Sequence, residues 1–324
     1  MDLVLDFFDT YLLDAVYAKA IPLSAFATLE SLRSHNVSST VFSSLTSWSN
    51  LVPRPPIALE NASSLQSSAW PREYVPRQIL SLSIITLVGI HILYFALAGL
   101  SYRYIFNHEM RKHPRFLKNQ EKLEIQSSLR AFPTITLLTL PWFLAEVRGH
   151  SRLYDGADTY GYLYLFLSAP FFLLVTDYCI YWIHRTLHVP AIYRIIHKPH
   201  HKWLIPTPWA SHAFHPIDGY AQGLPYHLFV FIFPLHRWLY LGMFIFVNFW
   251  TIFIHDSDMI TGHPLENIIN GPAHHTLHHL YFNVNYGQYF TWADKVGKSY
   301  RQPESSLDPL LEVKALKLKA AKSE

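Results

Sequence analysis

Residues 79–100, ILSLSIITLVGIHILYFALAGL, form a long apolar run with no Asp, Glu, Lys or Arg, in which His91 is the one basic side chain. A helix needs about 20 residues to cross the hydrocarbon of a bilayer, and only structures that satisfy their own backbone polar groups persist there. The run therefore points to a helical membrane architecture, with His91 facing other helices. The rest of the chain agrees. Only 15% of its residues are charged, against roughly 25% in soluble domains, and its mean hydropathy is +0.11.

Three further apolar stretches follow, at 131–146, 161–183 and 223–254. Between 79–100 and 131–146 lies a loop with Arg103, Arg111, Lys112, Arg115, Lys118, Lys122 and Arg130. The bias of basic residues to the cytoplasmic face puts this loop in the cytosol. The second stretch then returns to the lumen and the third comes back. The last is interrupted by Pro234, His236 and Arg237, which are costly at mid-membrane, so it reads as a helical hairpin with its tip on the lumenal side.

This gives an all-α integral membrane bundle of about four transmembrane helices, the last pair a hairpin, occupying residues 76–303. Residues 1–75 are expected to be a lumenal or interfacial segment and 304–324 a polar cytosolic tail. The opening segment carries Asp2, Asp6, Asp9 and Asp14 without the basic flank of a signal peptide, and is read as amphipathic. Residues 34–72 are rich in Ser, Thr, Asn and Pro and are expected to be poorly ordered; Asn36 with Ser38 and Asn61 with Ser63 form sequons that suit a lumenal location.

Fifteen of the 20 histidines fall between residues 184 and 279. Eight make up three short groups, HRTLH at 184–188, HKPHH at 197–201 and HTLHH at 275–279, and His274 flanks the third. Helix positions i, i+3 and i+4 share a face, so each group can aim two or three imidazoles at one point. Clustered histidines of this kind are a metal signal. With the topology above, all three groups and His255 lie on the cytosolic side, as a histidine-rich di-metal cap.

Within the groups, Pro199 suits the first turn of a new helix, and Gly271 with Pro272 marks the start of another. Asp177, two helical turns before His184, is placed to accept the second ring N–H of a ligand histidine. His212, His215, His263 and His274 are candidates for support around the ligands or for the substrate mouth. His227 and His236 read as bundle or interface residues. More than six imidazoles exceed the needs of one ion. Zinc usually takes four ligands in structural sites and three in catalytic ones, so two irons fit the count better.

The single cysteine, Cys179, excludes a disulfide framework and a thiolate metal site. A net charge of +3 without a basic run interleaved with aromatics gives no footprint for nucleic acid. Arg185, Arg194, Lys198 and Lys202, near the histidine groups, suit an acidic protein partner or lipid headgroups equally.

HRTLH, HKPHHKWLIPTPWASHAFHPIDG and NGPAHHTLHHLYFNVNYGQYFTWADKVGKSY resemble the histidine boxes and flanks of the fatty acid hydroxylase superfamily, most closely its fungal sterol C-5 desaturases. The resemblance covers roughly residues 170–303. It implies that His184, His188, His197, His200, His201, His275, His278 and His279 are di-iron ligands, to which His255 is added as the residue completing the set.

It also implies removal of two hydrogens from C5 and C6 of a sterol B ring with dioxygen as co-substrate. Electrons would come from NAD(P)H through a reductase and cytochrome b5, in the endoplasmic reticulum membrane with the site facing the cytosol. A sister hydroxylase or sterol 4-methyl oxidase would use the same site with a differently placed substrate. A zinc-dependent membrane hydrolase would need another metal.

Overall fold

A computed structural model describes residues 1–23 and 68–322. The two sequons, and most of the stretch expected to be poorly ordered, lie outside the described residues. The chain divides into two compact units, Met1–Ile85 and Thr86–Glu324.

In the first unit, α1 (Asp2–Phe8) and α2 (Asp14–Ala20) are joined by a π-helical turn, Asp9–Leu13. Here the acidic residues of the opening segment find their use. The buried Arg77 guanidinium donates to Asp9 (2.6 Å) and Asp14 (2.5 Å) and sits 4.6 Å from the Tyr17 ring centroid. Arg72 holds Asp14 and Asp6 at 2.6 and 3.0 Å. An arginine is costly to bury unless its charge is paired, and Asp9 and Asp14 supply the pairing for Arg77.

Helix α3 (Val75–Tyr104) contains the first apolar run. The second unit continues with α4 (Gln120–Val147), α5 (Tyr162–Leu187), α6 (Pro216–Ile232), α7 (Arg237–Phe253), α8 (Pro272–Tyr281) and α9 (Leu310–Ala321). Among the described residues, α3 and α5 are long and apolar enough to cross a membrane. Their outward side chains include Ile92, Leu163 and Phe166, all largely exposed, a surface that suits lipid rather than water. The 131–146 stretch is the later part of α4, which starts eleven residues earlier.

The 223–254 stretch folds as two helices, α6 and α7, linked through residues 233–236. The interrupting residues form the link. Arg237 donates to both carboxylate oxygens of Asp155 (2.7 and 3.1 Å), and His236 Nε2 donates to the Asp155 carbonyl (2.8 Å). Beside them Leu153–Tyr154 pairs in parallel with Leu235–His236, a two-residue exception to an otherwise helical fold. The link is thereby tied to the loop between α4 and α5.

Aromatic packing holds the bundle together. Phe172 of α5 meets Phe229 of α6 edge-on at 5.0 Å and stacks with Tyr226 at 5.9 Å. Tyr94 packs against Phe132 and Ile252, and its hydroxyl donates to the Trp209 carbonyl (2.8 Å). His91 faces the bundle as expected, its ring 5.0 Å from that of Phe132. The C-terminal segment is more than a polar tail. Leu310 packs with Phe106, Met110 and Ile205, Glu312 accepts from His113 (3.2 Å), and Lys317 pairs with Glu109.

Candidate metal centre

Four elements deliver the histidines. The end of α5 carries His184 and leaves His188 as its C-cap. His255 lies two residues beyond the end of α7, and α8, with Gly271 as N-cap and Pro272 in its first turn, carries His275, His278 and His279. The middle group differs from expectation, because no helix starts at Pro199. Instead a π-turn spans Tyr193–His197, and the backbone N–H groups of His200 and His201 both fall back on the His197 carbonyl (3.0 and 3.3 Å). Proline has no N–H to continue a ladder, so the segment tightens into turns that keep the three imidazoles together.

Nine histidines converge on two points. His184, His188, His197, His201 and His278 form one cluster, and His200, His255, His275 and His279 form the other; within each, the facing nitrogens lie within 4.8 Å of one another. All are buried except the half-buried His188. In the five-histidine cluster His201 Nε2 lies 3.1 Å from His188 Nε2, 3.1 Å from His197 Nε2 and 3.0 Å from His278 Nε2. In the other, His255 Nε2 is 3.0 Å from His275 Nε2, and His279 Nε2 is 3.2 Å from His275 Nε2.

On five of the nine rings the proton is committed elsewhere. His184 Nδ1 donates to the Tyr286 carbonyl (2.9 Å), His278 Nδ1 to Val284 (2.7 Å), His279 Nδ1 to Trp203 (2.9 Å) and His255 Nδ1 to Thr251 (2.5 Å). His197 Nδ1 donates to Asp218 Oδ2 at 2.7 Å. A carbonyl only accepts, so each neutral ring bound to one presents a bare Nε2 lone pair inward. Lone pairs about 3 Å apart repel unless a cation lies between them. The spacing also matches metal ligation, since two imidazoles at right angles on bonds of about 2.1 Å stand about 3.0 Å apart.

Electrostatics keeps the ligand form ready. Burial, reinforced by neighbouring imidazoles, holds His200, His201, His275, His278 and His279 well below the usual histidine range and lowers His255 to about 3. Neutral imidazole is the state that binds metal.

Asp177 does not reach a histidine. Its Oδ1 accepts the backbone N–H groups of Gln288 (2.9 Å), Tyr289 (2.7 Å) and Phe290 (3.4 Å), because the strand of chain after α8 passes across this face of α5 before any imidazole can. Among the described residues, the carboxylate that does meet a clustered histidine is Asp218, which helical spacing from the boxes could not reveal. It lies in the HPIDG stretch, at the third position of α6.

The supporting histidines scatter. His215 and His263 are helix N-caps whose Nδ1 atoms accept the N–H groups of Ile217 and Leu265, each at 3.2 Å. Both precede a proline, a helix-start pattern that accounts for them without the metal. His212 is buried between Ser211 Oγ (3.0 Å) and Asn248 Oδ1 (3.3 Å), and His274 is buried with its ring 5.8 Å from that of Tyr300. None of the four joins either cluster. Arg185 is also spoken for, donating to the Tyr181 hydroxyl (2.5 Å) and the Gly297 carbonyl (2.8 Å), whereas Arg194, Lys198 and Lys202 remain exposed.

The profile of the fatty acid hydroxylase family matches residues 169–299, a range that holds all nine clustered histidines. The chain is 48% identical to a Delta(7)-sterol 5(6)-desaturase of Gibberella zeae, over 96% of this chain and 93% of that one. It is 46% identical to one from Aspergillus fumigatus, over 99% and 95% of the two chains. A human lathosterol oxidase is 53% identical over 74% of this chain and 80% of its own. No solved structure matches.

Proposed function

The chain belongs to the fatty acid hydroxylase family and, within it, to the sterol 5(6)-desaturases, and from that premise we propose that it forms the C5=C6 double bond of a Delta(7)-sterol at a di-iron centre. It is an oxidoreductase of sterol biosynthesis. His184, His188, His197, His201 and His278 would hold one iron, and His200, His255, His275 and His279 the other.

The two nitrogen clusters carry this reading. Five imidazoles converging on one point exceed the four ligands usual for zinc and suit a metal of higher coordination number. When bound, the irons supply the oxidising power that an unactivated C–H bond requires, with dioxygen as oxidant and electrons from NAD(P)H by way of cytochrome b5 and its reductase. Two sterol hydrogens, two electrons and two further protons reduce one dioxygen to two waters. The contribution of the chain itself is to place the B ring and keep bulk water away, and this positioning selects desaturation over hydroxylation. The exposed Arg194, Lys198 and Lys202 suit an acidic electron donor.

We place the enzyme in the endoplasmic reticulum membrane as a multi-pass protein with its metal centre facing the cytosol and its sterol arriving from the bilayer. Two features support opposite faces of the bilayer for the metal centre and the α4–α5 loop, and the basic loop of residues 103–130 favours the cytosol for the metal centre. The loop between α4 and α5 and the link between α6 and α7 are tied together at Asp155, while His184 and His188 stand at the other end of α5. A 26-residue helix is about 39 Å long, enough to separate them by a bilayer.

The deciding experiment is sterol profiling of a strain lacking its own 5(6)-desaturase and expressing this chain. Conversion of the accumulated Delta(7)-sterol to the 5,7-diene is the expected result. A hydroxylated or 4-demethylated product, or none, overturns the reading.

A further inference from the structure

The nine clustered histidines differ in what stands behind them. Four, His184, His255, His278 and His279, lean on neutral backbone carbonyls. Only His197 leans on a carboxylate: Asp218 and His197 are both fully buried, and their contact is 2.7 Å. Among the described residues no other carboxylate comes within ion-pair distance of any of the nine.

Asp218 is itself fixed. Its position near the start of α6 anchors it, and its second oxygen, Oδ1, accepts from Gln222 Nε2 one helical turn later at 2.7 Å. His197 in turn occupies a junction, its Nε2 lying 3.1 Å from both His184 Nε2 and His201 Nε2. A carboxylate behind an imidazole fixes its tautomer and raises the basicity of the opposite nitrogen. In a buried site lined by neutral ligands it also supplies the one negative charge that offsets an incoming cation.

We propose that Asp218 is the positioning residue that sets metal retention in the five-histidine cluster, acting through His197, and that the four-histidine cluster has no such anchor. The proposal rests on the metal-centre reading above. The two clusters are then unequal in a defined way: one holds its metal with help from a fixed charge, the other with neutral groups alone.

Purified full-length protein, loaded with iron in detergent, tests this by metal content and by the time course of metal loss to a chelator. Asp218→Asn keeps the shape and removes the charge. It is expected to weaken retention of one metal equivalent about 10- to 100-fold, as loss of such a partner typically does, and to leave the other equivalent unchanged. Gln222→Leu frees the Asp218 carboxylate to turn, and is expected to accelerate loss of the same equivalent by a smaller factor; it decides the matter should Asp218→Asn fail to fold.

Wild-type release of both equivalents in either folded variant, or equal acceleration of both, overturns the role of Asp218 and leaves the metal centre standing. A wild-type protein that takes up no metal at all overturns the metal centre itself.

Discussion

His200 and His201 are consecutive in the chain, yet their imidazoles enter different clusters, with ring centroids 5.6 Å apart. His278 and His279 repeat the arrangement on α8, at 6.0 Å. Neighbouring residues on a helical turn point about 100° apart, so an HH pair wedged between two clusters serves both. The two pairs bridge the centre, and every element that carries one is held by both clusters at once.

Each member of a pair should therefore fail at its own metal. His200→Ala is expected to deplete the four-histidine cluster and His278→Ala the five-histidine cluster, each reducing sterol desaturation by more than about 100-fold while the protein remains inserted. Product assayed beside metal content in the same preparations checks this. Full product from either variant counts against the ligand assignment.

Acid should loosen the metal-free protein. The buried histidines His200, His201, His255, His275, His278 and His279 have folded-state pKa values below the ordinary 6.5, so they stay neutral in the native state while the unfolded chain takes up protons. Stability is thus present above pH 6.5 and falls as pH drops below it, by about 1.4 kcal/mol per pH unit for each histidine until its folded pKa is reached. Thermal unfolding of chelator-treated protein at pH 7.5, 6.5 and 5.5 reads the slope. A midpoint that rises towards acid contradicts it.

Asp177→Ala strips the backbone donors of Gln288, Tyr289 and Phe290 of their shared acceptor. Leaving such buried donors unmatched costs about 1–3 kcal/mol. Because Tyr286, whose carbonyl orients His184, is two residues away, metal content should drop along with the unfolding temperature. An unchanged melting curve shows that the contact is dispensable.

The proposed orientation can be read chemically. In a Cys179→Ala background, Asp158→Cys lies in the exposed loop between α4 and α5, and Lys314→Cys on the exposed face of α9. In sealed microsomes a membrane-impermeant maleimide should label Lys314→Cys at once and Asp158→Cys only after the vesicles are opened. The reverse order inverts the topology.

The histidines that the structure gathers are the nine singled out from the sequence: eight by i, i+3, i+4 spacing, a local rule that survives even where HKPHH forms turns instead of a helix, and His255 by its place at the end of the hairpin. Their division into five and four was hidden, since it depends on how α5, α7 and α8 meet. Asp177 shows the limit of spacing arguments: two helical turns put it on the same face as His184, but a segment over a hundred residues later fills the space between. Asp218 was invisible for the converse reason, as its partner lies 21 residues upstream on another element. The hairpin was legible because Pro234, His236 and Arg237 could not be buried in lipid, though that Asp155 would receive two of them was not.

The ring protons given to backbone carbonyls have a consequence for biogenesis. As α8 and the turns after α5 come together, the hydrogen bonds to Tyr286, Val284, Trp203 and Thr251 fix the tautomers, and folding by itself crowds bare lone pairs into two small volumes. Lone pairs so placed repel one another, so a cation bound between them would stabilise the folded centre. Backbone architecture, not the metal, therefore decides which ring nitrogen is offered, so the donor set is laid out by folding before any cation arrives.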